Sequence, residues 1–399
     1  MPAGALELTL EPVAPEHFLA QHWQRRPLVV ARGGEPGRFD AILSAADVER
    51  LVCQTAIRAP AFRLVRDGAQ LPPSSYTTDI PWRPSSFSGT VLVDRVAAEY
   101  AAGATIVLQA LQLHHHPAAL YCRELEQALG CPAQANAYST PASSQGFGVH
   151  HDTHDVLVLQ VAGRKRWRLY EPLLELPLRD QRWSPELGDP GDPIDDVTLE
   201  AGDTLYLPRG WPHEAAAADA DSLHITVGLH PPTRMDAIRD ALRECADDVE
   251  FRRALDAEGV LPAQLLERLA ARLRPDDVAR RARRRFVDRR RPIAGDQLAQ
   301  LRALQRLTAD TPARRRATVI ADLDDGATSV ALRFEGREVR FPARAGAAVA
   351  FVHGAGGPFT AAELPGPLDV AGRLVLVGRL VREGYLELLA VTPRASPPR

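Results

Sequence analysis

Up to residue 232 the apolar positions fall into short runs, each broken by glycine or proline. Residues 14–25 predict a short helix showing Phe18, Leu19 and Trp23, stopped by Pro27, with a short strand at 28–30. Ser44 is placed to cap a helix over 45–54, with Asp47 at its third position. A strand at 61–66 turns at Asp67-Gly68, a helix over 92–102 ends at Gly103, and a buried strand follows at 104–110. A further helix over 118–129 closes at Gly130, and residues 134–140 alternate as a strand with Asn136 and Tyr138 on one face. The continuous apolar run 156–161 predicts a buried strand, Ala162-Gly163 a turn, and residues 164–170 the returning strand of a hairpin. Strands follow at 204–207 and 222–229. The second presents Leu223, Ile225, Val227 and Leu229 on one face and Ser222, His224, Thr226 and Gly228 on the other. Residues 70–90, rich in Pro, Ser and Thr, and 183–200, rich in Asp and Pro, read as loops. So many short strands between Gly and Pro turns predict an antiparallel barrel or sandwich.

The pattern changes after Pro231-Pro232. Residues 234–310 carry helical spacing (Ile238, Leu242, Val249, Leu255; then Leu265, Leu266, Leu269, Leu273) whose apolar faces suit a bundle or a dimer interface. A hairpin over 329–334 and 338–341 turns at Gly336, and a short apolar helix or strand occupies 345–353. Thr360 caps 361–364, an amphipathic helix runs over 368–382 to Gly384, and residues 385–391 form a closing strand. That order predicts a winged-helix-like unit. Its second helix is largely apolar over 369–381, which favours packing or protein recognition over reading of bases. The expected class is α+β with three parts: residues 1–232, an all-α region at 233–310, and a winged-helix-like end at 311–399.

Composition narrows the function classes. The 399 residues carry a net charge of −3, which gives no global attraction to nucleic acid or anionic membrane. No apolar run approaches the ~18 residues of a spanning helix, and no basic-then-apolar leader opens the chain, so a cytoplasmic protein is expected. Cys53, Cys122, Cys131 and Cys245 are scattered without a Cys-x-x-Cys pair and read as reduced thiols. The arginine-rich run from Arg280 to Arg291 can contact phosphates, but in a chain that is not basic overall it reads as a solvated face paired with Asp and Glu. His114-His115-His116 cannot all face one centre, so packing or surface roles are expected.

The chemistry concentrates at His150-His151-Asp152. In an extended chain His150 and Asp152 point to one face, as a two-His-one-carboxylate metal site needs. His154, His213, His224 and His230 are the candidates for a third ligand. His154 lies four residues from His150, ~13 Å along a strand, too far to share one ion at ~2 Å. It fits better as cavity lining near substrate. His224 is either cavity-facing or a satisfied core histidine. Lys165 shares a strand face with Trp167 and Leu169, so it is either a snorkelling edge residue or a buried cation awaiting an anion.

Several motifs together resemble the JmjC-type cupin oxygenases, in particular the ribosomal oxygenases. They are His150-x-Asp152, Asp155 to Gln160, Gly163-Arg-Lys-Arg-Trp167, and Gly202-Asp-x-Leu-Tyr-x-Pro-x-Gly-x-x-His213. The order of parts along the chain is similar as well. The resemblance implies a JmjC/cupin double-stranded β-helix (jelly roll), a helical dimerisation region and a winged-helix end. It also implies a non-haem Fe(II), 2-oxoglutarate-dependent dioxygenase in which His150, Asp152 and His213 hold the metal. Lys165 then pairs with the far carboxylate of 2-oxoglutarate, which settles its role as a buried cation, and Asn136, Tyr138 and Thr226 fall at cosubstrate-pocket positions. His154 is a substrate-side neighbour, and loop 70–90 with the 143–145 turn shapes the substrate pocket. The implied reaction is hydroxylation of an arginine or histidine of a ribosomal protein by a homodimer, without membrane or direct nucleic-acid binding. Two alternatives stand beside it: hydroxylation of another peptide, such as a natural-product precursor, or demethylation; and a non-catalytic metal-dependent regulator that binds nucleic acid.

Overall fold

The computed structural model describes residues 4–142, 144, 148–255 and 257–389, and the chain divides into two compact units after Pro231. The first contains α1 (Ala5–Leu10), α2 (Pro15–Gln21), β1 (Leu28–Val30), α3 (Ala45–Cys53), β2 (Phe62–Arg66), β3 (Ala69–Gln70), β4 (Thr77–Trp82) and β5 (Ser85–Val91). It continues with α4 (Val93–Ala101), β6 (Thr105–Leu108), α5 (His116–Leu129), β7 (Ala133–Thr140), β8 (Asp155–Leu169), β9 (Asp195–Glu200), β10 (Thr204–Leu207) and β11 (His213–Leu229). Local chemistry sets several boundaries. Ser44 and Asp47 form a reciprocal capping box at the start of α3, and Gly130 ends α5 in the left-handed conformation.

Nine strands form one antiparallel sheet in the order β1-β10-β8-β11-β7-β6-β2-β3, with β9 paired to β8. β8 organises it. Its first half pairs with β10, its second half with β9, and β11 runs along its other edge. Alternation gives the sheet two different faces. Leu157, Leu159, Ile225, Val227, Ala135 and Ala137 enter the main core with α1, α3 and α5. Val156, Val158, Trp167, Leu199 and Leu205 face the other way and form a smaller cluster. The large antiparallel sheet is consistent with the expected jelly roll.

Three loop or turn expectations are corrected. Residues 77–91 form the β4–β5 hairpin, a separate two-stranded sheet with mostly exposed residues, so no apolar alternation marked it. Residues 195–200 are β9, whose acidic start sits opposite Arg166 and Arg168 on an exposed edge. Residues 162–163 do not turn: β8 runs straight through, and the register against β11 shifts there. Gly163 has φ +65°, and a Cβ there would fall 1.7 Å from the Asp221 carbonyl oxygen. The glycine thus marks a bulge, where strands press together, rather than a reversal.

The second unit holds α6 (Arg234–Cys245), α7 (Ala263–Arg272), α8 (Pro275–Asp288) and α9 (Gln297–Ala303). After them come β12 (Ala313–Arg315), β13 (Ala321–Asp325), β14 (Ser329–Phe334), β15 (Arg337–Pro342), α10 (Gly346–Gly354), α11 (Val370–Arg382) and β16 (Leu386–Leu388). β14 pairs with both β13 and β15, and β12 pairs with β16. Phe334, Val349, Val377, Leu380 and Tyr385 centre its core. The ambiguous stretch 345–353 is helical, and β12 and β13 are strands that the sequence pattern did not mark. Residues 390 and 391 of the expected closing strand lie outside the described residues.

The arginine run is a paired surface. Arg280 meets Asp277, Arg281 Glu244, Arg283 Asp322, Arg284 Asp288 and Arg285 Asp240, while Arg290 lies over the Phe286 ring. His115 is buried 4.0 Å from Asp47, as a packing residue. Cys122, Cys131 and Cys245 are buried free thiols and Cys53 is exposed. No helix among the described residues is long and apolar enough to cross a membrane.

Candidate metal centre and adjoining cavity

Backbone pairing brings the first ligands together. His150 and His213 form an isolated bridge: His150 N–H donates to the His213 carbonyl at 3.1 Å, and His213 N–H donates to the His150 carbonyl at 2.8 Å. The segment carrying Asp152 is pinned to the turn before β11, since Gly210 N–H donates to the Asp152 carbonyl at 3.0 Å. Below it, the fully buried Asp155 carboxylate accepts from Arg209 N–H at 2.9 Å and from Gln24 Nε2 at 3.4 Å. The Asp155 and Pro208-Arg209-Gly210 motifs are therefore structural clamps on the two ligand-bearing segments.

Side-chain geometry completes the cluster. One ligand atom each from His150, Asp152 and His213 lie within 4.8 Å of one another, and His213 Nε2 is 3.8 Å from Asp152 Oδ2. An ion ~2.0–2.2 Å from each donor would draw such atoms to about 3 Å apart, which small side-chain rotations accomplish. His150 Nδ1 bonds the Gly148 carbonyl at 2.8 Å and His213 Nδ1 the Trp211 carbonyl at 3.0 Å. A carbonyl only accepts, so both Nδ1 atoms carry the proton and both Nε2 lone pairs face the cluster. Burial lowers His213 to about 4, which keeps its imidazole neutral and ready to ligate. Burial pushes the Asp152 carboxyl up, but the surrounding imidazoles, His154 foremost, outweigh it and hold the group below its ordinary value. The donor set fits a hard or borderline divalent ion.

The cluster opens into a cavity of 330 Å³. Lys165 lies at its buried side, 4% exposed, with Nζ 3.4 Å from Thr140 Oγ1. Burial drives its ammonium down to about 7, and no carboxylate among the described residues offsets the cost of holding this charge. An ammonium in that position fits an anionic group entering the cavity. Tyr138 hydrogen-bonds Asn136 and Thr226 and stacks on the His224 ring at 4.9 Å, and Asn136 Oδ1 accepts from Ala110 N–H at 3.0 Å. The His154 ring lies tilted against His230, centroids 4.7 Å apart, and over Gly228, where a Cβ would come within 2.6 Å of it.

All of the expected site residues, His150, Asp152, His154, His213, Lys165, Asn136, Tyr138 and Thr226, line this one cavity. His224, left between cavity and core, faces the cavity as well. None of residues 70–90 is among its described lining, and residues 143 and 145 lie outside the described residues. Sequence reasoning missed Arg63 and the cavity role of Trp167. An arginine between two apolar residues of a strand, Phe62-Arg63-Leu64, was the available signal for Arg63.

The JmjC domain family matches residues 110–237. Ribosomal oxygenase 1 from Gallus gallus is 33% identical over 253 residues, covering 61% of this chain and 40% of that protein. The protein named bifunctional lysine-specific demethylase and histidyl-hydroxylase NO66 from Drosophila persimilis is 32% identical over 222 residues, covering 55% and 31%. The chain thus spans less than half the length of these curated relatives. Among solved structures, Escherichia coli YcfD, described as a ribosomal oxygenase in complex with cobalt and 2-oxoglutarate, aligns with a TM-score of 0.52. That alignment has 19% identity and covers 94% of this chain and 98% of that one, a likeness of fold. The candidate metal cluster, Lys165 and the other expected site residues all fall inside residues 110–237, the segment that matches the JmjC domain family, and the chain is similar to proteins named ribosomal oxygenases.

Proposed function

We propose that this chain is a non-haem Fe(II), 2-oxoglutarate-dependent oxygenase that hydroxylates a protein side chain, an arginine or histidine of a ribosomal protein. One observation carries the reading: a three-donor cluster and a buried ammonium without a carboxylate partner among the described residues open into the same cavity. His150, Asp152 and His213 would hold the iron on one side and leave its other positions open. Lys165 would receive the far carboxylate of 2-oxoglutarate as a charge-assisted hydrogen bond. Asn136, Tyr138 and Thr226 would orient the cosubstrate by hydrogen bonds, and His154 would contact the substrate. When bound, the iron and 2-oxoglutarate supply the dioxygen activation that no side chain provides.

The protein's own task is placement. The Nδ1 bonds to Gly148 and Trp211 fix both imidazoles in the ligating tautomer. Trp167 and Val156 wall the cavity and exclude water from the reacting groups. The second unit supports two further proposals. Its β-strands around α10 and α11 form a winged-helix-like part, and the exposed Ile238, Leu242, Val249 and Leu266 of the helical part form the contact of a homodimer. The test is peptide mass mapping of host ribosomal proteins treated with the protein, iron and 2-oxoglutarate. A gain of one oxygen that requires all three supports the reading, and its absence under every condition contradicts it.

A further inference from the structure

β2 places a second cation in the cavity. Phe62 and Leu64 point into the main core at 0% exposure, so Arg63 and Val65 point to the opposite face and line the cavity. The sheet register carries Arg63 across to the site. Arg63 lies opposite Val107 on β6, Val107 opposite Tyr138 on β7, and Tyr138 opposite His224 on β11. Cross-strand partners share a face, so these residues form one row, of which Arg63, Tyr138 and His224 line the cavity. Burial is the main influence on the Tyr138 phenol and pushes it up. The Arg63 charge pulls it down and the Asp152 charge pushes it up, so both charges are felt at the phenol, and all three residues line the same cavity.

The charge census of that wall is uneven. Its described lining includes two cations, Arg63 and Lys165, and one carboxylate, Asp152. Asp152 is the proposed metal ligand, and Lys165 is proposed to meet 2-oxoglutarate. Among the described lining residues a guanidinium or ammonium brought in from a substrate would find no carboxylate besides the proposed metal ligand Asp152, and it would meet Arg63 as a like charge. A neutral imidazole meets neither cost.

We infer that Arg63 is a specificity-determining residue that turns cationic side chains away from the metal centre, so that of the two proposed targets the cavity takes histidine and rejects arginine, and rejects lysine likewise. This rests on the oxygenase reading above. The guanidinium acts on the target by charge, at the side of the cavity where Tyr138 stands, and its effect is on which residue is oxidised.

The experiment uses the full chain with iron and 2-oxoglutarate on total host ribosomal proteins, with tandem mass spectrometry locating each added oxygen and succinate measured in the same reactions. The wild type is expected to oxidise histidine and to leave arginine and lysine unmodified. Arg63→Gln is expected to raise oxidation of arginine or lysine relative to histidine on the order of tenfold or more, and Arg63→Lys, which keeps the charge, is expected to preserve the restriction. Oxygen on arginine or lysine with the wild type overturns the inference while leaving the oxygenase reading standing. So does an Arg63→Gln protein with an unchanged target pattern, whether or not its 2-oxoglutarate binding is weakened. No succinate above the enzyme-free level defeats the oxygenase reading itself, and the inference with it.

Discussion

The main chains of His150 and His213 exchange two hydrogen bonds, so two ligands 63 positions apart in sequence are locked side by side before any ion arrives. Neither residue owes its place to its own side chain. His213 begins β11, and His150 meets it as an isolated bridge just ahead of β8. The geometry of the candidate metal cluster is therefore an outcome of strand register.

Gly163 is the first point that sets this register. A Cβ at this φ of +65° would sit 1.7 Å from the Asp221 carbonyl oxygen, so β8 and β11 must separate to admit it. Gly163→Ala is expected to destabilise the protein by about 2–4 kcal/mol, through backbone strain and lost pairing. Because Lys165 lies two residues on, 2-oxoglutarate binding is expected to weaken in the same variant. Urea unfolding and calorimetric titration measure the two effects.

Asp155 is the second. Its buried carboxylate accepts the Arg209 N–H and the Gln24 amide, and burial raises it above the ordinary carboxylate value. Asp155→Ala leaves the Arg209 N–H without this acceptor, at a cost of about 1–3 kcal/mol. The turn leading to His213 loosens, so metal affinity is expected to fall although no ligand has been changed. A fluorescence or calorimetric metal titration reads that fall against an unchanged ligand set.

Lys165 gives a pH dependence with a defined sign. Burial lowers its ammonium from the ordinary 10.5 to about 7. Between those values the unfolded chain keeps a proton that the ligand-free folded chain has released, so stability rises with pH across that window. Below about 7 both forms are charged and the full penalty remains. A dicarboxylate needs the ammonium, so above about pH 7 its binding takes up a proton and its apparent affinity falls by up to about tenfold per pH unit. Lys165→Met is expected to bind 2-oxoglutarate more weakly and to lack this slope. Titrations in buffers of different ionisation enthalpy count the proton directly.

The sequence carried the site further than it carried the fold. His150 and Asp152 were legible from their i, i+2 spacing, and the resemblance to JmjC-type cupin oxygenases singled out His213 and Lys165; all four line one cavity. Alternation along two strands placed Asn136 with Tyr138, and Thr226 with His224, on common faces, and the same resemblance assigned Asn136, Tyr138 and Thr226 to the pocket. The Gly163 bulge was misread as a turn because glycine serves both purposes, and only the partner strand distinguishes them. The β4–β5 hairpin and β9 were invisible for a different reason: their residues are mostly exposed, so burial wrote no period-2 pattern into them. Arg63 was missed because its importance depends on three lateral strand pairings, none of them local in sequence.

On the proposed reading, His150, Asp152 and His213 support 2-oxoglutarate oxidation in the cavity that Lys165 closes. The most direct measurement compares iron-dependent succinate formation by the wild type and by Asp152→Ala, with circular dichroism showing that both are folded. The account predicts succinate from the wild type and a loss of more than about 100-fold in the variant, beyond what loss of a supporting residue around a metal costs. Full turnover by Asp152→Ala would contradict it.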